Sequence, residues 1–237
     1  PKDSVEAVKW FLKAANQGDP RVLHSLARMY HTGDGIPVDY PSALKWYFKA
    51  AEQGQAQSQD DLGVFYKKGL GVPKDSVEAV KWFRKSAKQG YKYAQKNLSG
   101  MYLAGDGVAQ DYTKMFQWSL KAAEQGLVKP QVLTAWAYQS GKGVPENWLK
   151  AFKWYRKAAE QGDAYAQFEL GKMYYGGKGV PKNSIRSYVW WSMAKTQGDE
   201  EASELLELVK GFLTQEETVE GQTLAAKCYE SNYSDCA

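Results

Sequence analysis

Reactive side chains are scarce in this chain. Histidine occurs only at His24 and His31 and cysteine only at Cys228 and Cys236. The histidines are seven residues apart, about 10 Å along a helix axis, too far to hold one ion without further ligands. They are expected as two exposed surface side chains. The cysteines are close in sequence and have no counterpart elsewhere, so they are expected to pair across a short ring in an oxidising compartment. Two reduced thiols in a cytosolic protein are the alternative; a metal pair is disfavoured because no His or third Cys is nearby. Five Gly-x-Gly pairs run from Gly33/Gly35 to Gly177/Gly179. They follow helical patterns rather than strands and lack a Lys-Ser/Thr ending, which excludes phosphate loops. No nucleophile–base pair, metal-ligand set or cofactor motif emerges, and the chain reads as non-enzymatic.

The elements carrying these residues are set by a repeat. Gln-Gly recurs with its glycine at Gly18, Gly54, Gly90, Gly126, Gly162 and Gly198, always 36 residues apart. Trp10, Trp46, Trp82, Trp118, Trp154 and Trp190 keep the same period, and residues 1–10 are identical to 73–82. The units are 19–54, 55–90, 91–126, a divergent 127–162, and 163–198; residues 1–18 are the second helix of a truncated unit and 199–237 a capping tail. Each unit reads as two helices. In 163–179, Ala166, Leu170 and Met173 fall at helical spacing, the helix stops at Gly177, and Asn183 or Ser184 caps the next. Unit positions 4, 8 and 11 are core-like. Small residues such as Ala50, Ser86 and Ala158 permit close helix approach, and the periodic Trp is expected to fill the space between hairpins. The expected fold is all-α: a right-handed α-solenoid superhelix of helix-turn-helix repeats, because one hairpin cannot bury both faces alone.

The unit pattern in 163–181 (DAYAQFELGKMYYGGKGVP) and the AAEQG tags at 50–54, 122–126 and 158–162 resemble the Sel1-like repeat (SLR) family, cousins of tetratricopeptide repeats, over about residues 1–212. That resemblance implies a scaffold for protein–protein contacts, in envelope biology, signalling or host contact. A cysteine-rich subgroup is linked to β-lactam binding and hydrolysis; cell-wall-related binding or hydrolysis is therefore the alternative function, although no repeat here contains Cys. The tail 213–236 resembles the ending of exported bacterial members, so a periplasmic or secreted location is expected.

The chain opens at the Pro that follows a Gly-x-Gly turn, as expected for part of a longer protein. Its composition, 43% hydrophobic and 24% charged over 237 residues, excludes a mainly disordered chain, and no apolar run approaches the ~20 residues of a membrane span. Residues 199–237 carry two Lys against ten Asp or Glu, net −8, while 1–198 carry 29 Lys or Arg against 17 acids, net +12. An acidic protein or peptide partner is expected for the repeats. Nucleic acid is the weaker reading, because many basic residues sit at one second-helix position (Lys13, Lys49, Lys85, Lys121, Lys157) expected on the outer surface. Membrane insertion is not expected, and the chain is expected to be a monomer. Residues 199–212 read as a polar-faced capping helix, and Thr214 with Glu217 as a capping box opening a helix near 215–230.

The variable face of the first helices, positions 3, 6, 7, 10 and 13, is expected to line a concave groove. Its candidate contacts are Arg28, Tyr93, Lys96, Trp136, Tyr165, Phe168, Lys172 and Tyr175, with Trp136 the leading anchor because aromatic residues and Arg dominate interface energetics. The fourth unit departs most, with Pro130, Thr134 and Ala137 at core positions and an added Trp148. Pro130 is tolerable in a first helical turn.

Overall fold

Most of the helices start where the sequence supplies a side-chain cap; those that follow Tyr91 and Leu127 lack one. A computed structural model describes residues 2–233 and Cys236. The described residues form thirteen helices: α1 (Lys2–Ala15), α2 (Pro20–Thr32), α3 (Tyr40–Glu52), α4 (Ala56–Lys68), α5 (Ser76–Lys88), α6 (Lys92–Ala104), α7 (Tyr112–Glu124), α8 (Val128–Ser140), α9 (Trp148–Ala159), α10 (Ala164–Gly176), α11 (Ser184–Thr196), α12 (Glu200–Lys210) and α13 (Gln215–Glu230). They divide into two compact units, 1–118 and 119–237, parted inside α7. Asp39, Asp75, Asn147 and Asn183 cap second helices through their side chains. Their backbone N–H groups bond back to the carbonyls of Tyr30, Tyr66, Tyr138 and Tyr174, which closes each intervening turn.

Positions 8 and 11 are buried in every repeat and in the cap, from Leu26 and Met29 to Leu206 and Val209. In the first unit, Tyr47, Leu62, Phe65 and Trp82 pack around Ala27, Ala43 and Ala51. In the second, Tyr188 and Trp191 pack with Leu206 and Val209 of the cap. Gly63 and Gly171 leave room on the first helices for the rings of Phe83 and Trp191, which a Cβ would meet at 2.5 and 2.3 Å. The divergent fourth repeat is compensated by the helix before it. Thr134 stands at the usual Leu position, and Ser119 at a position where other repeats carry an aromatic. Their hydroxyls bond at 2.9 Å, and Ser119 also reaches the Pro130 carbonyl.

Neighbouring repeats are joined by buried glutamines. Nε2 of Gln59, Gln95, Gln131 and Gln167 donates to the carbonyl of Ala51, Ala87, Ala123 and Ala159, at the C-terminus of the preceding helix, over 3.0–3.4 Å. Oε1 of Gln59, Gln131 and Gln167 accepts from Gln89, Gln161 and Gln197, the glutamines of the Gln-Gly tags, at 2.7, 2.7 and 2.8 Å. The relay has natural ends: Leu23 occupies the glutamine position of the first repeat, and at Ser203 the hydroxyl turns back to its own helix at Asp199.

The periodic Trp is less uniform than expected. Trp82 and Trp190 are buried, but Trp10 is largely exposed. The periodic lysines lie over these rings: the ammonium groups of Lys13, Lys49, Lys85 and Lys157 stand 3.8–4.9 Å from the centroids of Trp10, Trp46, Trp82 and Trp154. Beyond the last repeat, Thr214 and Glu217 form the capping box of α13, and Cys228 is disulfide-bonded to Cys236.

The closest backbone approaches fall at second glycines of the turns, Gly71, Gly107 and Gly179. A Cβ on Gly179 would lie 2.3 Å from the Trp148 carbonyl oxygen at the start of α9, whereas Gly126 has open space. Both have positive φ, +74° and +87°. Gly126→Ala should therefore cost only the left-handed backbone penalty, about 1 kcal/mol, and Gly179→Ala at least about 2 kcal/mol more from the steric overlap. Urea unfolding midpoints of the two variants check this; equal losses would show that the contact is not a tight one.

Candidate functional site

The first-helix residues singled out from the sequence fall into two groups. In the first unit, Arg28, Tyr93 and Lys96 are exposed. In the second, Tyr165 and Lys172 are exposed, while Trp136 and Tyr175 are half-buried. Phe168 is a correction. It is only 5% exposed and packs against Tyr188, Trp191, Leu206 and Val209. The capping helix α12 needs an apolar surface beneath it, and Phe168 supplies that surface instead of a contact for a partner. Tyr175 borders the same cluster.

The histidines are a second correction, since neither is a freely exposed side chain. His24 Nδ1 lies 3.0 Å from Ser58 Oγ and 3.6 Å from Asp61 Oδ2. His31 Nδ1 lies 3.4 Å from the Tyr47 hydroxyl, with its ring edge-on to Phe65. Burial is the main cause lowering the pKa of both, helped by Arg28 near His24 and Lys68 near His31. Asp60, which accepts from Asn97 Nδ2 at 2.9 Å, is pushed up to about 6 by burial. Burial and the neighbouring Asp60 push Asp61 up to about 7, against the Tyr47 hydroxyl donating to it and the charge of Arg28.

Ser58, His24 and Asp61 have the composition of a hydrolytic triad but not its geometry. A triad holds the serine on one ring nitrogen and the carboxylate on the other. Here both approach Nδ1, and Ser58 is fully buried. The cluster positions polar groups without offering a nucleophile. Among the described residues, no three His, Cys, Asp or Glu side chains are grouped to hold a metal.

The second unit repeats the arrangement with Gln139 in the place of His31. The Tyr155 hydroxyl donates to Gln139 Oε1 at 2.6 Å, as Tyr47 meets His31. Gln139 Nε2 donates to Glu169 Oε2 and Lys172 Nζ to Glu169 Oε1, both at 2.9 Å. Lys129 pairs with Asp163 at 2.8 Å. Tyr47, Tyr155, Asp61 and Glu169 were not evident as site residues in the sequence. The available signal was a coincidence of spacing: Tyr replaces Phe83, Ser119 or Trp191 at one repeat position only where His or Gln stands sixteen residues before it.

Matches to the Sel1 repeat family cover residues 1–19, 20–55, 56–91, 92–127, 131–163 and 164–199. The chain belongs to the Sel1 repeat family. Sel1 repeat proteins are generally protein-interaction scaffolds and typically non-catalytic. The crystal structure of c5321, a protective antigen present in uropathogenic Escherichia coli strains, is similar at 38% identity and a TM-score of 0.86 over 95% of this chain. The present chain spans only 50% of that protein's length. A Sel1 repeat protein from Oxalobacter formigenes is 32% identical with a TM-score of 0.75, over 84% of this chain and 85% of that one. No curated protein matches. The helices and these Sel1 relatives together give an all-α helical-repeat solenoid.

Raised carboxyl pKa values mean that the folded state favours neutral Asp60 and Asp61. Their contribution is full below the unfolded value near pH 4 and is lost as pH rises through about 6 and 7. His24 works oppositely, costing stability as pH falls below about 6.5. Asp61→Asn should therefore raise the thermal midpoint more at pH 8 than at pH 5, where only the smaller part of the carboxylate penalty has developed. The gain is about 1–2 kcal/mol once the 29% of the side chain that meets solvent is allowed for. An equal gain at both pH values would exclude the buried-carboxylate explanation.

Proposed function

We propose that this Sel1 repeat protein is a monomeric, non-enzymatic scaffold that binds a protein or peptide through its first-helix faces, in the bacterial envelope or in contact with a host. The observation carrying this reading is a pair of matched aromatic side chains. Tyr93 and Tyr165 occupy the same position in two repeats, and both stay exposed, at 43% and 44%. Each has cations on its own helix: Lys92 and Lys96 on α6, and Lys172 on α10. Exposed aromatics beside cations are what interface hot spots use, and the net charge of +12 over residues 1–198 favours an acidic partner. The disulfide supports an oxidising, periplasmic or secreted location. The description of c5321 as a protective antigen is in keeping with such a location.

The test is affinity capture from bacterial envelope extract with wild-type protein, Tyr93→Ala, Tyr165→Ala and the double variant. At least one single variant should lose about tenfold in affinity for a captured partner. Thermal midpoints should stay close to wild type, because both rings are largely in solvent. A partner retained at full strength by the double variant would move binding off these faces.

A further inference from the structure

Deep in the second unit, Trp148, Gln139, Glu169, Lys172, Met173 and Lys178 line a pocket of about 260 Å³. It forms where the end of α8, the start of α9 and the face of α10 meet. Its polar groups are fixed from behind. Glu169, with 4% of its side chain exposed, is held by Lys172 on one oxygen and Gln139 on the other. Tyr155 donates to Gln139 Oε1, so the amide must turn its nitrogen to Glu169. The Trp148 indole N–H donates to Glu146 Oε1 at 2.7 Å, which sets the ring.

The residues lining this pocket carry one excess positive charge, with Glu146 on the Trp148 indole N–H outside the lining. Lys172 is matched by Glu169. The Lys178 ammonium lies 4.5 Å above the Trp148 ring, and among the described residues no carboxylate lies within ion-pair distance of it. Trp148 stands where the other repeats have Tyr or Ser, so this pocket is particular to one repeat junction. Its volume lies below the roughly 300–1,000 Å³ of drug-sized sites and suits a single side chain.

We infer that this pocket is the anchor for an acidic partner segment, taking one Asp or Glu side chain with its carboxylate between the Lys172 and Lys178 ammonium groups and its methylene stem against Trp148 and Met173. A carboxylate there gains a charge-assisted contact with an ammonium already placed by the indole, and Glu169 stays paired throughout. This inference rests on the scaffold reading and names the partner chemistry at the α10 face.

The probe is a fluorescein-labelled (Glu-Gly)₅ peptide, acetylated and amidated so that only side-chain carboxylates are anionic, titrated by anisotropy at low salt. Lys178→Glu should weaken binding at least about tenfold. Lys178→Gln, which keeps a long side chain over Trp148, should weaken it about fivefold, against no more than about twofold for Lys153→Glu, an exposed charge reversal on α9. Equal losses from Lys178→Glu and Lys153→Glu would reduce the effect to general electrostatics and overturn the pocket. Preference for a (Gln-Gly)₅ peptide with a free C-terminus would overturn the side-chain assignment. No binding of the acidic peptide up to about 1 mM would overturn the pocket too. In each case the scaffold reading survives if envelope capture still depends on Tyr93 or Tyr165.

Discussion

A side-chain amide buried between helices holds each repeat against the one before it. Gln59, Gln95, Gln131 and Gln167 give their N–H groups to carbonyls at the end of the preceding helix. Those carbonyls also accept the backbone N–H groups of Gly54, Gly90, Gly126 and Gly162, so each amide fills a second acceptor site at a helix C-terminus and contributes about 1 kcal/mol. The amide oxygen must be satisfied as well, and the tag glutamines Gln89, Gln161 and Gln197 do so. Among the described residues, the only buried side-chain nitrogen or oxygen without a partner is Trp82 Nε1. Directional bonds of this kind tolerate little sliding, whereas the alanine and leucine contacts around them are non-directional. The glutamines set the register, and the apolar layer supplies the burial.

Once the register is set, side chains at equivalent positions can vary with local compensation. Position 29 of the repeat carries Tyr47, Phe83, Ser119, Tyr155 and Trp191. Each solution has its own complement: His31 for Tyr47, Gly63 for Phe83, Thr134 for Ser119, Gln139 for Tyr155 and Gly171 for Trp191. Where the ring is a tyrosine, its hydroxyl emerges on the variable side of the first helix and organises charge there. In one unit it meets Asp61 and His31; in the other it fixes Gln139 and, through it, Glu169. The second-helix face is more uniform, since each periodic lysine with a described contact covers its tryptophan. The chemical variety between repeats therefore lies mainly on the first helices.

Most of the fold was legible because it is periodic. Core positions 4, 8 and 11, the glycine stops and the capping box all follow from spacing, and even Thr134 and Ala137 stayed buried as their positions implied. Phe168 misled because one face of a helix cannot reveal what covers it. The apolar residues that cover it, Leu206 and Val209, lie about forty residues away in α12. The histidines misled for a related reason: their partners Ser58, Asp61 and Tyr47 come from the next two helices, and burial, not residue type, decides their protonation. The Gln-Gly tags mark the ends of second helices, but a repeated letter does not disclose that its amide bonds Gln59, Gln131 or Gln167 on the first helix of the same repeat.

Because every glutamine reaches back only one repeat, the links are interchangeable. A copied or deleted block of 36 residues, or of a multiple of 36, reconnects to the same donors and acceptors on both sides, whereas a block out of that period strands an amide at the seam. Residues 1–10 and 73–82 are identical, as recent duplication or gene conversion would leave them. The architecture thus makes reach a heritable variable: recombination between near-identical stretches can lengthen or shorten the helical array in whole increments while every surviving junction stays intact.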